Sequence, residues 1–251
     1  MPDDTTHPNR RRWLLATAAS AAGAVAGLAG CGGGLDDDVR LRAVNATDDV
    51  PAIDVDYNDW TFAFDVRQGG ETSRYASRAL LAIGGFGEFE VFRSGDSRRI
   101  FSSTRSLPQA DSASVVIMGS RSVELKLRLI DEDADRPGNS ANMRLRVLHA
   151  LPDRGALDVH LSTPDAPLAG RPAEWALDGF EDLSIFVERS VATRLRITPR
   201  GNSEQVLFDS RAFSLGSGSV ATLVLAPAAG RDRIAVAVLP QGEPAGLLLD
   251  A

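Results

Sequence analysis

Short runs of alternating apolar and polar residues fill most of the chain. Val39, Leu41 and Ala43 interleave with Arg40 and Arg42, and Ile53, Val55 and Tyr57 with Asp54, Asp56 and Asn58. Further on, Met143, Leu145 and Val147 interleave with Arg144 and Arg146, and Leu157, Val159 and Leu161 with Asp158, His160 and Ser162. Val123, Leu125, Leu127 and Leu129 alternate with Glu124, Lys126 and Arg128. A period of two directs one face of a strand to a core and the other to water. Turn-forming clusters such as DRPGNS, PRGNS and LGSGS interrupt these runs. With no long helical period after residue 30, the pattern predicts an all-β protein of two tandem antiparallel sandwiches.

The two sandwiches are read from a repeat. VRLRAVNATDDVPAIDVDYN (39–58) aligns without a gap on MRLRVLHALPDRGALDVHLS (143–162) at a shift of 104, with eight of twenty positions identical. RSGDSRRIF (93–101) also resembles PRGNSEQVL (199–207). The first sandwich is expected over 39–133 and the second over 143–242. The polar stretch 134–142 reads as a linker, and 243–251 as a C-terminal tail. Arg40, Arg42, Arg144 and Arg146 fall on the predicted outward face of one strand, and Asp54 and Asp158 on that of another. Pairing of those strands would set the two charge types against each other.

The first thirty residues have a different character. Arg10, Arg11 and Arg12 precede a weakly apolar Ala/Gly-rich run, Leu14 to Leu28, which ends at the single cysteine, Cys31. That order is the form of an export signal, and the run is shorter than the roughly 20 residues of a membrane span. Leu28-Ala29-Gly30-Cys31 resembles the lipobox of bacterial lipoproteins. The resemblance implies removal of a 1–30 signal peptide and a lipid anchor on Cys31. Residues 31–38, with Gly32 to Gly34 and Asp36 to Asp38, then form a flexible tether. Arg10 and Arg11, followed by Trp13, also resemble a twin-arginine export motif; Sec export is the alternative. Gly32 after the cysteine favours the outer membrane.

The copies at 39–58 and 143–162, with ITPRGNSEQVLFDS (197–210), resemble the bacterial family called domain of unknown function 4397 over nearly all of 39–242. The match is strongest at His149, Pro152-Asp153 and Leu157-Asp158-Val159; in the first copy Asn45 stands for the histidine and Asp48 for the proline. The resemblance implies an immunoglobulin-like fold for each sandwich, and no catalytic residues.

Net charge is −7, from 27 basic and 34 acidic residues, which argues against a nucleic-acid partner. His149 and His160 are the only histidines after the signal. With Asp153 they could be drawn as a metal site; the plainer reading has His149 bonding within its turn. Asp131, Asp133 and Asp135 have calcium-loop spacing, but Arg136 and Asn142 stand where such a loop has Gly and an acidic residue. IGGFGEF (83–89) is a bend before a strand at Phe89 and Val91. Trp60, Phe62 and Phe64 form a stripe that is either core or an exposed binding face. The expectation is a non-enzymatic envelope lipoprotein without cofactor or metal, held at the membrane through Cys31 and binding a protein or glycan. A structural role in an envelope complex, or metal chemistry at His149 and His160, are the alternatives.

Overall fold

The computed structural model describes residues 38–79, 86–190, 192–229 and 233–249. Arg10, Arg11, Cys31 and the glycine tether lie outside the described residues. The described chain is all-β and contains no helix. Its first half contributes β1 (Asp38–Thr47), β2 (Ala52–Tyr57), β3 (Trp60–Arg67), β4 (Glu71–Thr72), β5 (Ala76–Ala79), β6 (Phe86–Arg93), β7 (Arg99–Ser106), β8 (Ser112–Ser120) and β9 (Glu124–Asp131). Its second half contributes β10 (Asn142–His149), β11 (Leu157–Ser162), β12 (Trp175–Leu177), β13 (Val187–Ser190), β14 (Arg194–Pro199), β15 (Phe208–Asp209), β16 (Val220–Pro227), β17 (Ile234–Pro240) and β18 (Leu247–Leu249).

Four sheets result. In the first half β4-β1-β8-β9, with β5 also on β1, faces β3-β2-β6-β7; in the second, β13-β10-β16-β17-β18 faces β12-β11-β14-β15. The alternating apolar residues meet between the sheets of each half. Leu41, Ile53, Val55, Phe89, Val115 and Leu127 are among the buried residues of one core, and Leu145, Val159, Trp175, Ile197, Leu223 and Val236 of the other. The sheets are not purely antiparallel as expected. β1 runs parallel to β8, and β10 parallel to β16. A parallel pair needs a long crossover, and here the intervening strands, which build the facing sheet, provide it.

The outward-facing arginines are a second departure. β1 and β2 belong to different sheets, so Arg42 never meets Asp54 across a strand pair. A third apolar cluster explains where the outer face of β1 goes. Val44, Ala46, Val116 and Met118 of the first half join Leu148, Val224, Ala226 and Ala237 of the second. Every residue of β8 and of β16 is buried. The runs Val115–Met118 and Leu223–Ala226 break the period of two because both faces of these strands are covered. Joining the halves removes from water a face that a lone sandwich would expose.

The stretch read as a linker is also tied down. The Asp135 carbonyl accepts from Arg144 at 2.9 Å, and the Gly138 N–H donates to Glu188 at 2.6 Å, which lowers the Glu188 pKa. The stretch read as a tail contains β18, which pairs with β17. Just before it, the Pro244 carbonyl accepts from the Tyr75 N–H and the Gly246 N–H donates to Thr72 Oγ1 at 2.8 Å. The aromatic stripe is split by register shifts between β2 and β3: Phe62 is 4 % exposed and Phe64 68 %.

Candidate functional site

The polar residues that recur in the two halves converge at their junction. On β1, Arg42 is wholly buried. Its Nε donates to Ser114 Oγ at 2.7 Å and to Glu132 Oε1 at 3.1 Å. Its two terminal nitrogens reach the second half, donating to the carbonyls of Glu243 at 3.2 Å and Pro240 at 3.1 Å. The guanidinium lies 4.6 Å from the Tyr75 ring centroid, and the Tyr75 hydroxyl donates to Glu132. Burial, reinforced by that carboxylate, pushes the Tyr75 pKa up.

Arg146, one repeat later on β10, makes the matching set. Its Nε donates to Thr222 Oγ1 at 3.0 Å, and one terminal nitrogen donates to the Asp131 carbonyl at 2.8 Å and to Asp131 Oδ1 at 3.2 Å. Phe186 lies under its guanidinium at 4.5 Å. Ser114 and Thr222 are the register partners of Arg42 and Arg146 on the parallel strands β8 and β16. Pro240 and Asp131 end the last long strand of each half. Each arginine thus closes on the opposite half at an equivalent place. The Lys126–Glu181 ion pair adds a third polar link between the halves.

Asn45 and His149 also correspond. The Thr47 N–H donates to Asn45 Oδ1 at 3.1 Å, and Asn45 Nδ2 donates to the Val50 carbonyl at 3.1 Å. The Leu151 N–H donates to His149 Nδ1 at 3.3 Å, and His149 Nε2 lies 3.0 Å from the Gly155 carbonyl. With Nδ1 accepting, Nε2 carries the proton. Burial pushes the His149 pKa down, in keeping with a neutral ring. The plainer reading of His149 as a turn residue matches this geometry.

The structure does not bring His149 and His160 into one cluster. His149 is on β10 and His160 on β11, in different sheets. The His160 ring nitrogens face Thr198 Oγ1 at 3.3 Å and the Pro172 carbonyl at 3.4 Å. Beside it, buried Arg196 donates to Ser162 Oγ at 2.7 Å and to the Ala166 carbonyl at 2.8 Å; burial lowers its pKa. Asp131 is engaged by Arg146. Among the described residues no group of three His, Cys, Asp or Glu side chains is placed to hold a metal ion. Asp54 and Asp158 serve backbone, accepting from the N–H groups of Asp65 and Gly201, each at 2.8 Å.

Clefts of about 760, 500 and 320 Å³ indent the described residues. The first opens at the junction between Arg40, Ser112 and Glu132 of the first half and Ser219, Gln241 and Glu243 of the second. The second lies between the β6–β7 and β8–β9 turns of the first half and is lined by four arginines. Neither of these two was expected from the sequence. The signal for the first was the pair of unbroken apolar runs on β8 and β16, which implies that the halves are joined. For the second it was the difference between RSGDSRRIF and PRGNSEQVL.

Residues 39–160 match the family model described as a domain of unknown function, DUF4397. The match covers the first half, β10 and most of β11, and stops well short of 242, where the sequence resemblance was drawn. No curated protein matches the chain.

Proposed function

We propose that this chain is an exported lipoprotein of the cell envelope, anchored through Cys31 at the outer membrane, and that it is a non-enzymatic binding module. On this reading its two halves are tandem copies of one immunoglobulin-like sandwich, fused at their β1- and β10-bearing sheets, and its loops bind a protein or glycan. One observation carries the reading. The polar side chains at corresponding positions of the two copies, Arg42 and Arg146 with Asn45 and His149, direct their hydrogen bonds to turns and to the opposite half. The repeat therefore encodes architecture, and the loops are free to differ. Anchoring is supported by the ordered arginine cluster, apolar run and Leu28-Ala29-Gly30-Cys31. Two or more acyl chains make such an anchor stable, at about 0.8 kcal/mol per buried methylene.

Intact-mass measurement of the mature protein, with fractionation and protease shaving of whole cells, tests the anchor. An acylated Cys31 amino terminus in the membrane fraction is expected. A mature chain that begins elsewhere and washes off membranes overturns it. Shaving then distinguishes domains on the cell surface from domains facing the periplasm.

A further inference from the structure

The turn between β6 and β7 and the turn after β14 are built alike. In the first, the Asp96 N–H donates to the Arg93 carbonyl at 2.9 Å and the Arg98 N–H to Asp96 Oδ1 at 2.9 Å. In the second, the Asn202 N–H donates to the Pro199 carbonyl at 3.0 Å and the Glu204 N–H to Asn202 Oδ1 at 3.3 Å. Gly95 and Gly201 hold φ of 75° and 71°, a region that favours glycine. The side chains around this shared frame differ. Arg93, Arg98 and Arg99 stand where the second half has Pro199, Glu204 and Gln205. Since the same turn forms without them, the arginines are not there to make the turn.

These three arginines line the cleft of about 500 Å³, and Arg121 completes it from the β8–β9 connection. Pockets of this size suit small ligands. Arg99 is paired with Glu88 and Glu90, and Arg121 with Asp49. Arg93 and Arg98 are exposed and form no ion pair among the described residues. The acidic side chains at the cleft are already engaged: Asp96 holds the turn, and Glu124 faces Lys126 at 3.5 Å. Half-buried Ile100 and Phe101 provide an apolar floor. A chain of net charge −7 thus presents two free guanidiniums over an apolar surface.

We propose that this cleft binds an oxyanion, a carboxylate, sulfate or phosphate group, carried on a saccharide ring that rests on Ile100 and Phe101. Guanidinium forks match such groups with two parallel hydrogen bonds, and the ring's C–H face suits the floor. The inference rests on the binding-module reading and names its ligand class.

The test is calorimetric titration of the full chain with hexagalacturonate, maltohexaose and inorganic phosphate, at low and raised salt. Hexagalacturonate is expected to bind, to weaken as salt screens the pairing, and to lose about tenfold or more in affinity in Arg93→Ala/Arg98→Ala. Arg67→Ala, an exposed arginine elsewhere, should leave it unchanged. An unaltered unfolding midpoint in the double variant keeps folding out of the comparison. Phosphate binding with the same arginine dependence supports the oxyanion site and assigns its source to a free anion. No binding that depends on Arg93 and Arg98 overturns the inference. If maltohexaose binds regardless of these arginines, the binding-module reading survives and only the cleft assignment falls.

Discussion

Arg42 donates across the junction to the Pro240 carbonyl while its Nη2 lies 3.0 Å from Glu132 within its own half. One buried cation therefore both neutralises a buried carboxylate and fixes how the halves meet. Removing one partner of such a pair strands the other charge, at a cost of about 3–5 kcal/mol. Arg42→Ala should lower stability by that much in urea denaturation, and Arg42→Met/Glu132→Leu should recover a large part of it. Arg146 pairs with a half-exposed Asp131, and Arg146→Ala should cost less than Arg42→Ala. Equal losses would mean that burial of the pair is not what matters.

The Asn45–His149 correspondence predicts an exchange. Asparagine performs the turn-holding role at position 45, so His149→Asn should fold with a small loss. His149→Ala leaves buried backbone groups unpaired and should cost about 1–3 kcal/mol. Thermal denaturation of the two variants beside the parent decides it.

The same histidine makes stability depend on pH. Its folded-state pKa lies below its usual 6.5 because the ring is buried. The unfolded chain therefore takes up the proton first as pH falls. The contribution is complete above about pH 6.5 and is lost progressively below it. His149→Asn should flatten the fall in unfolding midpoint below that pH; an unchanged slope would assign the acid sensitivity elsewhere.

Close packing predicts two intolerant glycines. A Cβ on Gly87 would sit 2.2 Å from the buried Tyr57 ring, which packs tilted against Phe89 with centroids 4.7 Å apart. Overpacking of this kind costs about 1–3 kcal/mol. At Gly119 the obstacle is the Glu124 carbonyl, also at 2.2 Å, and φ is 92°. Neither rotamer nor ring can yield there, so Gly119→Ala should destabilise more than Gly87→Ala in denaturant titrations.

The shared cluster of Val116, Met118, Leu148 and Val224 predicts one unfolding transition. In a Trp13→Phe background, Trp60 reports on the first half and Trp175 on the second. Their fluorescence midpoints in urea should coincide, and Val224→Asp should shift both together. Separate midpoints would show that the halves are independent.

The all-β character and the apolar residues of both cores were legible because alternation is a local signal. So was the role of His149, whose partners Leu151 and Gly155 lie within six residues. The destination of Arg42 was not legible. Alternation placed it opposite the core, and opposite the core meant water. Its actual neighbours, Pro240 and Glu243, lie some two hundred residues away, where no periodicity reaches. Phe62 and Phe64 were undecidable for a related reason: a register shift against β2, invisible in composition, sends one inward and the other out. The arginine cleft could have been found by asking how RSGDSRRIF and PRGNSEQVL differ, in addition to how they agree.

The contacts of Glu243, Pro244 and Gly246 with Arg42, Tyr75 and Thr72 bear on the order of biosynthesis. The ribosome makes β1 to β9 long before it makes residues 243–246, yet those residues supply partners that the early strands require. Arg42, Tyr75 and Thr72 therefore gain these partners only after residues 243–246 have been made.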